Sequence, residues 1–346
     1  MQPFITIVMP VRNEVRFIRD TLGQLLGQEY PVDRFEIVVA DGMSDDGTRE
    51  VVKDVARDHP QIRLLDNLKR FSSAGRNVGF RNGRGELFLV VDGHCYIPDD
   101  QLLANLVLCF EKSGADCLGR PQPLDPPGLT LFQSSVALAR GSWLGHGENS
   151  LIYSGYEGFC SPVSNGAAYR REVFERIGYV DENFDAAEDV EFNYRVEQSG
   201  QKCYTSPMLT VRYYPRETLG ELFQQMKRYG MGRHRFLRKH RQAFTINQLI
   251  PAVFVAGLPL LALSALGNMF SSFWLPLFLL MTSAYCIYAA LVVFVPMRLA
   301  ERHGWRYFPF LLMIFPAIHC GLGWGFWSAM WMRQGSSAVL GLQSEA

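Results

Sequence analysis

Along the first 215 residues, apolar positions switch between short continuous runs and helical spacing. Residues 4–9 form a run that Pro10 should stop, and Val15, Ile18, Leu22, Leu25 and Leu26 then recur at the spacing of one helix face over 15–28. The same switch predicts strands at 35–40, 62–65 and 86–91, with helices at 46–58, near 72–82 and near 99–112, the last carried by Leu102, Leu103, Leu106, Val107 and Phe110. Strand and helix in alternation imply an α/β fold with a mainly parallel sheet covered on both faces. From 120 to 162 the pattern weakens into prolines (121, 123, 126, 127) and glycines around one helix at 128–141. That stretch reads as a covering loop or an insertion. Regular pattern resumes with a strand at 165–169, a helix at 187–199 capped near Asp185 and stopped by Gly200, and short strands at 202–205 and 209–213.

Beyond residue 241 the pattern changes kind. Segments 249–267, 274–295 and 308–331 contain no Asp, Glu, Lys or Arg, and each is long enough to cross a ~30 Å hydrocarbon core as a helix of about 20 residues. Just before them, Leu219, Leu222, Phe223, Met226 and Tyr229 line one face of a helix whose other face is basic, as in a helix lying in the membrane interface. The expected plan is a catalytic domain over 1–215, an interfacial segment over 216–245, a membrane domain over 246–332 and a tail over 333–346.

The formal net charge is zero, yet residues 216–241 carry eight Lys and Arg against two Glu. With Arg298, Arg302 and Arg306 between the second and third spans, this bias places residues 1–240 and 296–307 in the cytoplasm, and 268–273 and the tail on the other side of an inner membrane. The first ten residues are too quickly interrupted to be a signal peptide. Seven cysteines without a C-x-x-C argue against a disulfide framework and a structural zinc site, so a reducing compartment is expected. Nothing in the pattern points to nucleic acid. No G-x-G-x-x-G follows the first strand, which sets aside a dinucleotide oxidoreductase.

Two predicted strand endings carry the chemistry. Asp41 ends the second strand, and Asp92-Gly93-His94 follows the run 87–91. Ligands bind outside the carboxyl ends of strands in open α/β sheets, so a lone carboxylate beside a carboxylate–imidazole pair suggests a nucleotide and a metal ion held together. Asp41 would equally serve as a helix cap, and His94 as an ordinary loop histidine. Arg12 offers a flat face for a base or a donor fork for phosphate. Arg76 and Asn77, opening a helix after a Ser-Ser-Ala-Gly turn, would direct backbone N–H groups and a guanidinium at an anion. Glu188-Asp189 begins a helix in which Glu191 and Arg195 are spaced to pair.

The segments 10–14 (Pro-Val-Arg-Asn-Glu), 40–48, 75–79 (Gly-Arg-Asn-Val-Gly), 92–94, 188–192 and 225–229 occur in the order typical of inverting family-2 glycosyltransferases, and the chain resembles that family over 4–240. Its added spans are similar to those of bacterial exopolysaccharide glucosyltransferases of the succinoglycan type. The resemblance implies a GT-A fold and a UDP-sugar donor held by Pro10, Arg12, Glu14, Asp41, Arg76, Asn77 and Asp92, with Asp41 reading the uracil. It implies Asp189 as general base, with Glu188 the second candidate. The family's Asp-x-Asp is Asp92-x-His94 here, which keeps two ligands for Mn²⁺ or Mg²⁺ and shifts preference toward Mn²⁺. Gln225, Arg228 and Tyr229 resemble a Gln-x-x-Arg-Trp motif, with Tyr for Trp, and would meet the acceptor sugar and the departing diphosphate; a basic amphipathic helix would contain such residues anyway. The implied acceptor is a polyprenyl-diphosphate-linked saccharide in the membrane. A processive synthase and a polyprenyl-phosphate glycosyltransferase remain as alternatives, a homo-oligomer is left open because three spans alone are few to enclose a polymer channel, and a nucleotide-binding scaffold is disfavoured by the intact Asp92, His94 and Asp189.

Overall fold

β1 (Ile5–Val11) buries every side chain but Pro10, and β2 (Phe35–Asp41) buries all of its own. Such runs suit strands covered on both faces. In the computed structural model, which describes residues 2–146 and 151–331, β3 (Ile62–Asp66) flanks β2 and β4 (Leu87–Val90) flanks β1, all parallel. β1 runs past Pro10 because β4 pairs only with residues 5–8, so the missing N–H falls beyond the ladder. The remaining strands are β5 (Cys95–Tyr96), β6 (Cys117–Gly119), β7 (Gly158–Cys160), β8 (Gly166–Arg170), β9 (Cys203–Thr205) and β10 (Arg212–Tyr213). The sheet order is β3-β2-β1-β4-β8-β6-β9-β7, antiparallel at β4/β8, β8/β6 and β9/β7, while β5 and β10 pair separately.

The helices longer than one turn are α1 (Ile18–Leu26), α2 (Thr48–Asp58), α3 (Ser72–Asn82), α4 (Leu102–Ser113), α5 (Leu131–Arg140), α6 (Arg171–Ile177), α7 (Glu188–Gln198), α8 (Leu219–Lys239), α9 (Ile246–Phe270), α10 (Leu275–His303) and α11 (Phe308–Trp331). They fall into two units, Met1–Gly128 with Glu148–Tyr214, and Leu129–Gly147 with Pro215–Ala346. In the first, Ile5, Ile7 and Met9 of β1 pack with Ile18, Leu22 and Leu25 of α1 and with Leu102, Leu103 and Leu106 of α4. Val8 faces the other way, into a core with Phe80, Phe88, Phe174 and Phe192. One strand thus feeds two cores through its period of two. On α3, a Cβ at Gly79 would lie 2.2 Å from Cγ1 of Val8, and one at Gly75 would lie 2.9 Å from Cβ of Pro10. The two glycines let α3 lie flat on β1, which sets the height of Arg76 above the sheet.

The second unit contains the three helices that are long and apolar enough to cross a membrane, Ile246–Phe270, Ser272–His303 with its leading turn, and Trp305–Trp331 with its own. The last is studded with glycines that admit neighbouring backbones: Gly321 and Gly325 meet Met226 and Lys227 of α8, and Gly323 meets Pro251 of α9. Small residues give close approach where lipid offers no hydrophobic drive between helices. Two differences from the sequence pattern arise here. The stretch expected to be a loop at 296–307 is helical to His303, with Arg298 paired to Glu301 at 3.1 Å one turn on. The helix at 131–140, expected within the catalytic domain, belongs to the membrane unit, where Val136 and Ala139 join the core of α8 and α11. The expected tail over 333–346 lies outside the described residues.

Candidate active site

The carboxyl ends of β1, β2 and β4 are the place where the predicted residues gather. Val11 and Asp41 are register partners at the ends of their strands, and Asp92 follows β4 by two residues. Thr21 of α1 donates its hydroxyl to the carbonyls of Gly93 (2.9 Å) and Cys95 (3.1 Å), so the Asp92-Gly93-His94 backbone is pinned. Gly93 is buried, while Asp92 and His94 on either side are half-buried.

His94 does not stand alone. Its Nδ1 donates to Oε1 of Glu14 at 2.7 Å, and its ring meets the Tyr213 ring edge-on at 5.9 Å. Glu14 therefore orients the imidazole. Behind Tyr213, a residue with no signal in the sequence pattern, lies Arg120, whose Nη2 donates to the phenol oxygen at 2.7 Å.

Arg76 ties the strand end to the acidic helix. Its Nη2 lies 3.5 Å from Oε1 of Glu188. Burial works to lower this guanidinium's affinity for its proton, but the charges of Glu188, Asp189 and Asp92 outweigh it and raise the pKa above the ordinary arginine value. One cation thus sits among three carboxylates contributed by two distant segments. Burial pushes the Glu188 carboxyl up, Arg76 opposes, and the Asp189 charge adds to the rise. Asp189 is the more open of the two, half-exposed where Glu188 is buried.

The acidic pair is delivered by an unusual helix start. Asp185 is not the cap; the N-cap is Ala187 in the left-handed region (φ 60°), with no side-chain hydrogen bond. A non-glycine residue there is held by its surroundings at a cost of about 1–3 kcal/mol, and it turns Glu188 and Asp189 together into the first turn. Glu191 and Arg195 pair as the spacing predicts, at 3.0 Å, and Arg195 also donates to the carbonyls of Ile177 and Tyr179.

Other predicted residues are placed differently. α3 starts at Ser72, so Arg76 and Asn77 lie in its second turn rather than at its opening, and an anion would meet the guanidinium and not the helix N–H groups. The Asn77 amide is taken up in a clamp on the loop before α7, donating to Val180 O (2.8 Å) and Glu182 Oε1 (2.7 Å) and accepting from Val180 N. Asp41 is fully buried, with Ser44 Oγ at 2.5 Å and Arg49 Nη1 at 2.6 Å; Arg49 bridges on to Asp66. Pro10 is the floor under Gly75, and Arg12 packs against Gly42. Gln225, Arg228 and Tyr229 lie on α8 of the second unit, where Gln225 Nε2 is 3.4 Å from Tyr229 Oη and the Arg140 guanidinium is 5.8 Å from the Tyr229 ring. Among the described residues, no three His, Cys, Asp or Glu side chains form a ready metal cage.

The sequence matches Glycosyl transferase family 2 over residues 6–178 and Glycosyl transferase family group 2 over 144–327. It is 34% identical over 264 residues to the succinoglycan biosynthesis protein ExoA of Rhizobium meliloti (strain 1021), covering 76% of this chain and 78% of that one. The chain belongs to glycosyltransferase family 2. A second relative is a Methanococcus voltae enzyme, 27% identical over 259 residues and covering 73% of this chain and 79% of its own, named a dolichyl N-acetyl-alpha-D-glucosaminyl phosphate 3-beta-D-2,3-diacetamido-2,3-dideoxy-beta-D-glucuronosyltransferase. The fold is shared with the mannosyltransferase PcManGT from Pyrobaculum calidifontis, solved with GDP-Man and Mn²⁺, at a TM-score of 0.60 and 20% identity over 96% of this chain and 88% of that one. It is shared too with residues 1–349 of S. aureus TarS in complex with UDP-GlcNAc, at a TM-score of 0.50 and 15% identity over 95% and 92% of the two chains. The α/β sheet followed by three apolar helices is thus a family-2 catalytic unit with a C-terminal membrane unit.

Proposed function

We propose that this glycosyltransferase moves a hexose, with inversion, from a UDP-sugar to a lipid-linked saccharide at the cytoplasmic face of a bacterial inner membrane, in exopolysaccharide or cell-surface glycan synthesis. The carrying observation is the position of Arg76 among Asp92, Glu188 and Asp189, which puts a buried cation between the strand end that would hold the donor diphosphate and the helix that would receive the acceptor. Asp189, the more open carboxylate, accepts the acceptor hydroxyl proton as the new bond forms. Arg76 neutralises charge on the departing diphosphate. Arg12 and Asp41 are assigned to the nucleotide, Asp41 with its geometry set by Ser44 and Arg49. The relatives support the class of product and acceptor: one is named for succinoglycan biosynthesis and the other for transfer to a dolichyl-linked sugar phosphate.

The residues present fit a divalent cation. With His94 Nδ1 engaged by Glu14, the imidazole would ligate through Nε2, the usual arrangement in which a carboxylate orients a ligating histidine. Asp92 would supply the second protein ligand. When bound, Mn²⁺ or Mg²⁺ supplies positive charge to the leaving diphosphate.

A panel of UDP-sugars incubated with the purified full-length protein and a bacterial lipid extract tests this reading. One donor should yield free UDP and a chloroform-soluble glycosylated lipid, EDTA should abolish both, and Mn²⁺ should restore them. Wild-type rates from Asp92→Ala in metal-free buffer would remove the metal from the proposal, and absence of transfer from every UDP-sugar would remove the donor class.

A further inference from the structure

Arg120 is among the largest fully buried side chains in the protein, 2% exposed, yet it has no carboxylate within ion-pair distance among the described residues. Among the described residues only Nη2 of its three nitrogens has a hydrogen-bond partner, the Tyr213 hydroxyl at 2.7 Å; Nε and Nη1 are buried without one. The guanidinium also lies over the Tyr213 ring, 5.5 Å from its centroid. A buried cation with two unused donors lowers stability, and replacing such a group by an apolar side chain of similar volume is often neutral or favourable. Packing alone therefore does not account for an arginine here.

What the arginine holds is informative. Tyr213 sits in β10, antiparallel to β5, with Cys95 as its register partner, so it stands beside His94. Its ring meets the imidazole at 5.9 Å with planes at 90°, while Glu14 holds the imidazole at Nδ1, 2.7 Å away. Tyr213 is itself fixed at its far end by Arg120. Four side chains from four segments make one line: Arg120, Tyr213, His94, Glu14. Burial works to lower the Arg120 pKa, yet the net direction is upward from a value already far above neutrality, so the cation persists at physiological pH.

We infer that Arg120 is a positioning residue which, through the Tyr213 ring, fixes the plane of the His94 imidazole for cation binding with the donor diphosphate. The inference rests on the proposed metal site at Asp92 and His94. Arg120 and Tyr213 touch neither substrate nor cation in this scheme; they restrict the ring that does.

The test is Mn²⁺ titration of the full-length protein in detergent with UDP present, read by the electron paramagnetic resonance signal of free Mn²⁺, for wild type, Arg120→Met, Tyr213→Phe and the double variant. Loss of a residue that orients a metal ligand typically costs about 10–100-fold in metal affinity, so each single variant should bind Mn²⁺ that much more weakly. The double variant should be no worse than the weaker single one, because both act through one contact. Thermal midpoints should not fall for Arg120→Met, and saturating Mn²⁺ should recover kcat. Wild-type Mn²⁺ affinity in both single variants overturns the inference while leaving the metal site intact. A lowered midpoint in Arg120→Met with unchanged affinity in Tyr213→Phe also overturns it, in favour of a structural role; should Arg120→Met not fold, Tyr213→Phe alone decides. A wild type that binds no Mn²⁺ overturns both this inference and the metal reading beneath it.

Discussion

Replacing Asp189 by Asn removes a base while keeping shape, and the structure says what else should change. Asp189 is half-buried and makes no ion pair shorter than 4 Å among the described residues, and its Oδ1 accepts from the N–H of Val190 at 2.9 Å. Stability should therefore shift by no more than about 0.5 kcal/mol, as for a surface substitution. Loss of a general base typically costs about 10²–10⁴-fold, or about 2.7–5.4 kcal/mol of barrier. Turnover should collapse on that scale while UDP-sugar affinity, measured by calorimetry, changes little. Glu188→Gln is the control. The Glu188 pKa is raised, so its contribution to stability is present below the ordinary value of 4.5 and is lost as pH rises through the folded value. At neutral pH the wild type bears that loss and a neutral Gln does not. Its contact with Arg76 is long at 3.5 Å, and Arg76 keeps Asp189 and Asp92. Glu188→Gln should then be at least as stable as wild type at pH 7, with a margin that shrinks toward pH 4, and should keep turnover within about tenfold, well short of the loss expected for a base. Normal turnover in Asp189→Asn with collapse in Glu188→Gln would refute the assignment, and normal turnover in both would refute the role of this helix.

Three further outcomes follow from the packing, the buried acids and the spans. Gly79→Ala forces a methyl into Val8, 2.2 Å away, and should destabilise the catalytic unit by about 1–3 kcal/mol, seen as a lower urea midpoint; an unchanged midpoint would mean α3 can lift from β1. Buried Glu36 is opposed by burial but held ionised by the Arg84 N–H, Arg63 and Thr6, so its pKa is lowered and its stabilisation, present above 4.5, is lost as pH falls through the folded value; the melting-temperature gap between wild type and Glu36→Gln should close below that pH, and a constant gap would refute this. A cysteine at Ser271, the C-cap of α9, should react with an impermeant maleimide only from the side opposite the catalytic unit; labelling only from the cytoplasm would reverse the proposed orientation.

The parts of the fold legible in the sequence were those with a local period. β1 to β4 and α1 to α4 follow from runs and i, i+3, i+4 spacing, and the spans follow from charge depletion, because each is specified by residues within one element. β6 and β7, three residues each, carry too short a run to announce themselves, and α6 hides behind the strand before it. The segment 128–141 reads as a helix in the catalytic half, and its Thr130–Gln133 capping box, with reciprocal hydrogen bonds at 3.1 and 3.0 Å, is visible as a T-x-x-Q pattern without saying what the helix packs on. Which unit a helix joins depends on what its apolar face meets, and that is not a local property.

The same division runs through the site. Asp92, His94 and the Glu188-Asp189 pair could be named because strand ends and helix starts are local features with general consequences. That Glu14 serves His94, that Asn77 clamps a loop, and that Arg49 occupies Asp41 could not, since each is a pairing between different segments eight or more residues apart. The geometry of α3 shows how the two levels meet. Gly75 and Gly79 are four residues apart, a spacing visible in the chain, but its meaning appears only when both are found against Pro10 and Val8. They allow the helix to settle on the strand, and the settled helix carries Arg76 to where it feels Asp92, just past β4, and Glu188 and Asp189 from α7 together. A bulkier residue at either glycine would raise that guanidinium and separate the leaving-group end of the site from its base, so the predicted fall in stability for Gly79→Ala should be accompanied by a fall in kcat larger than any change in donor affinity.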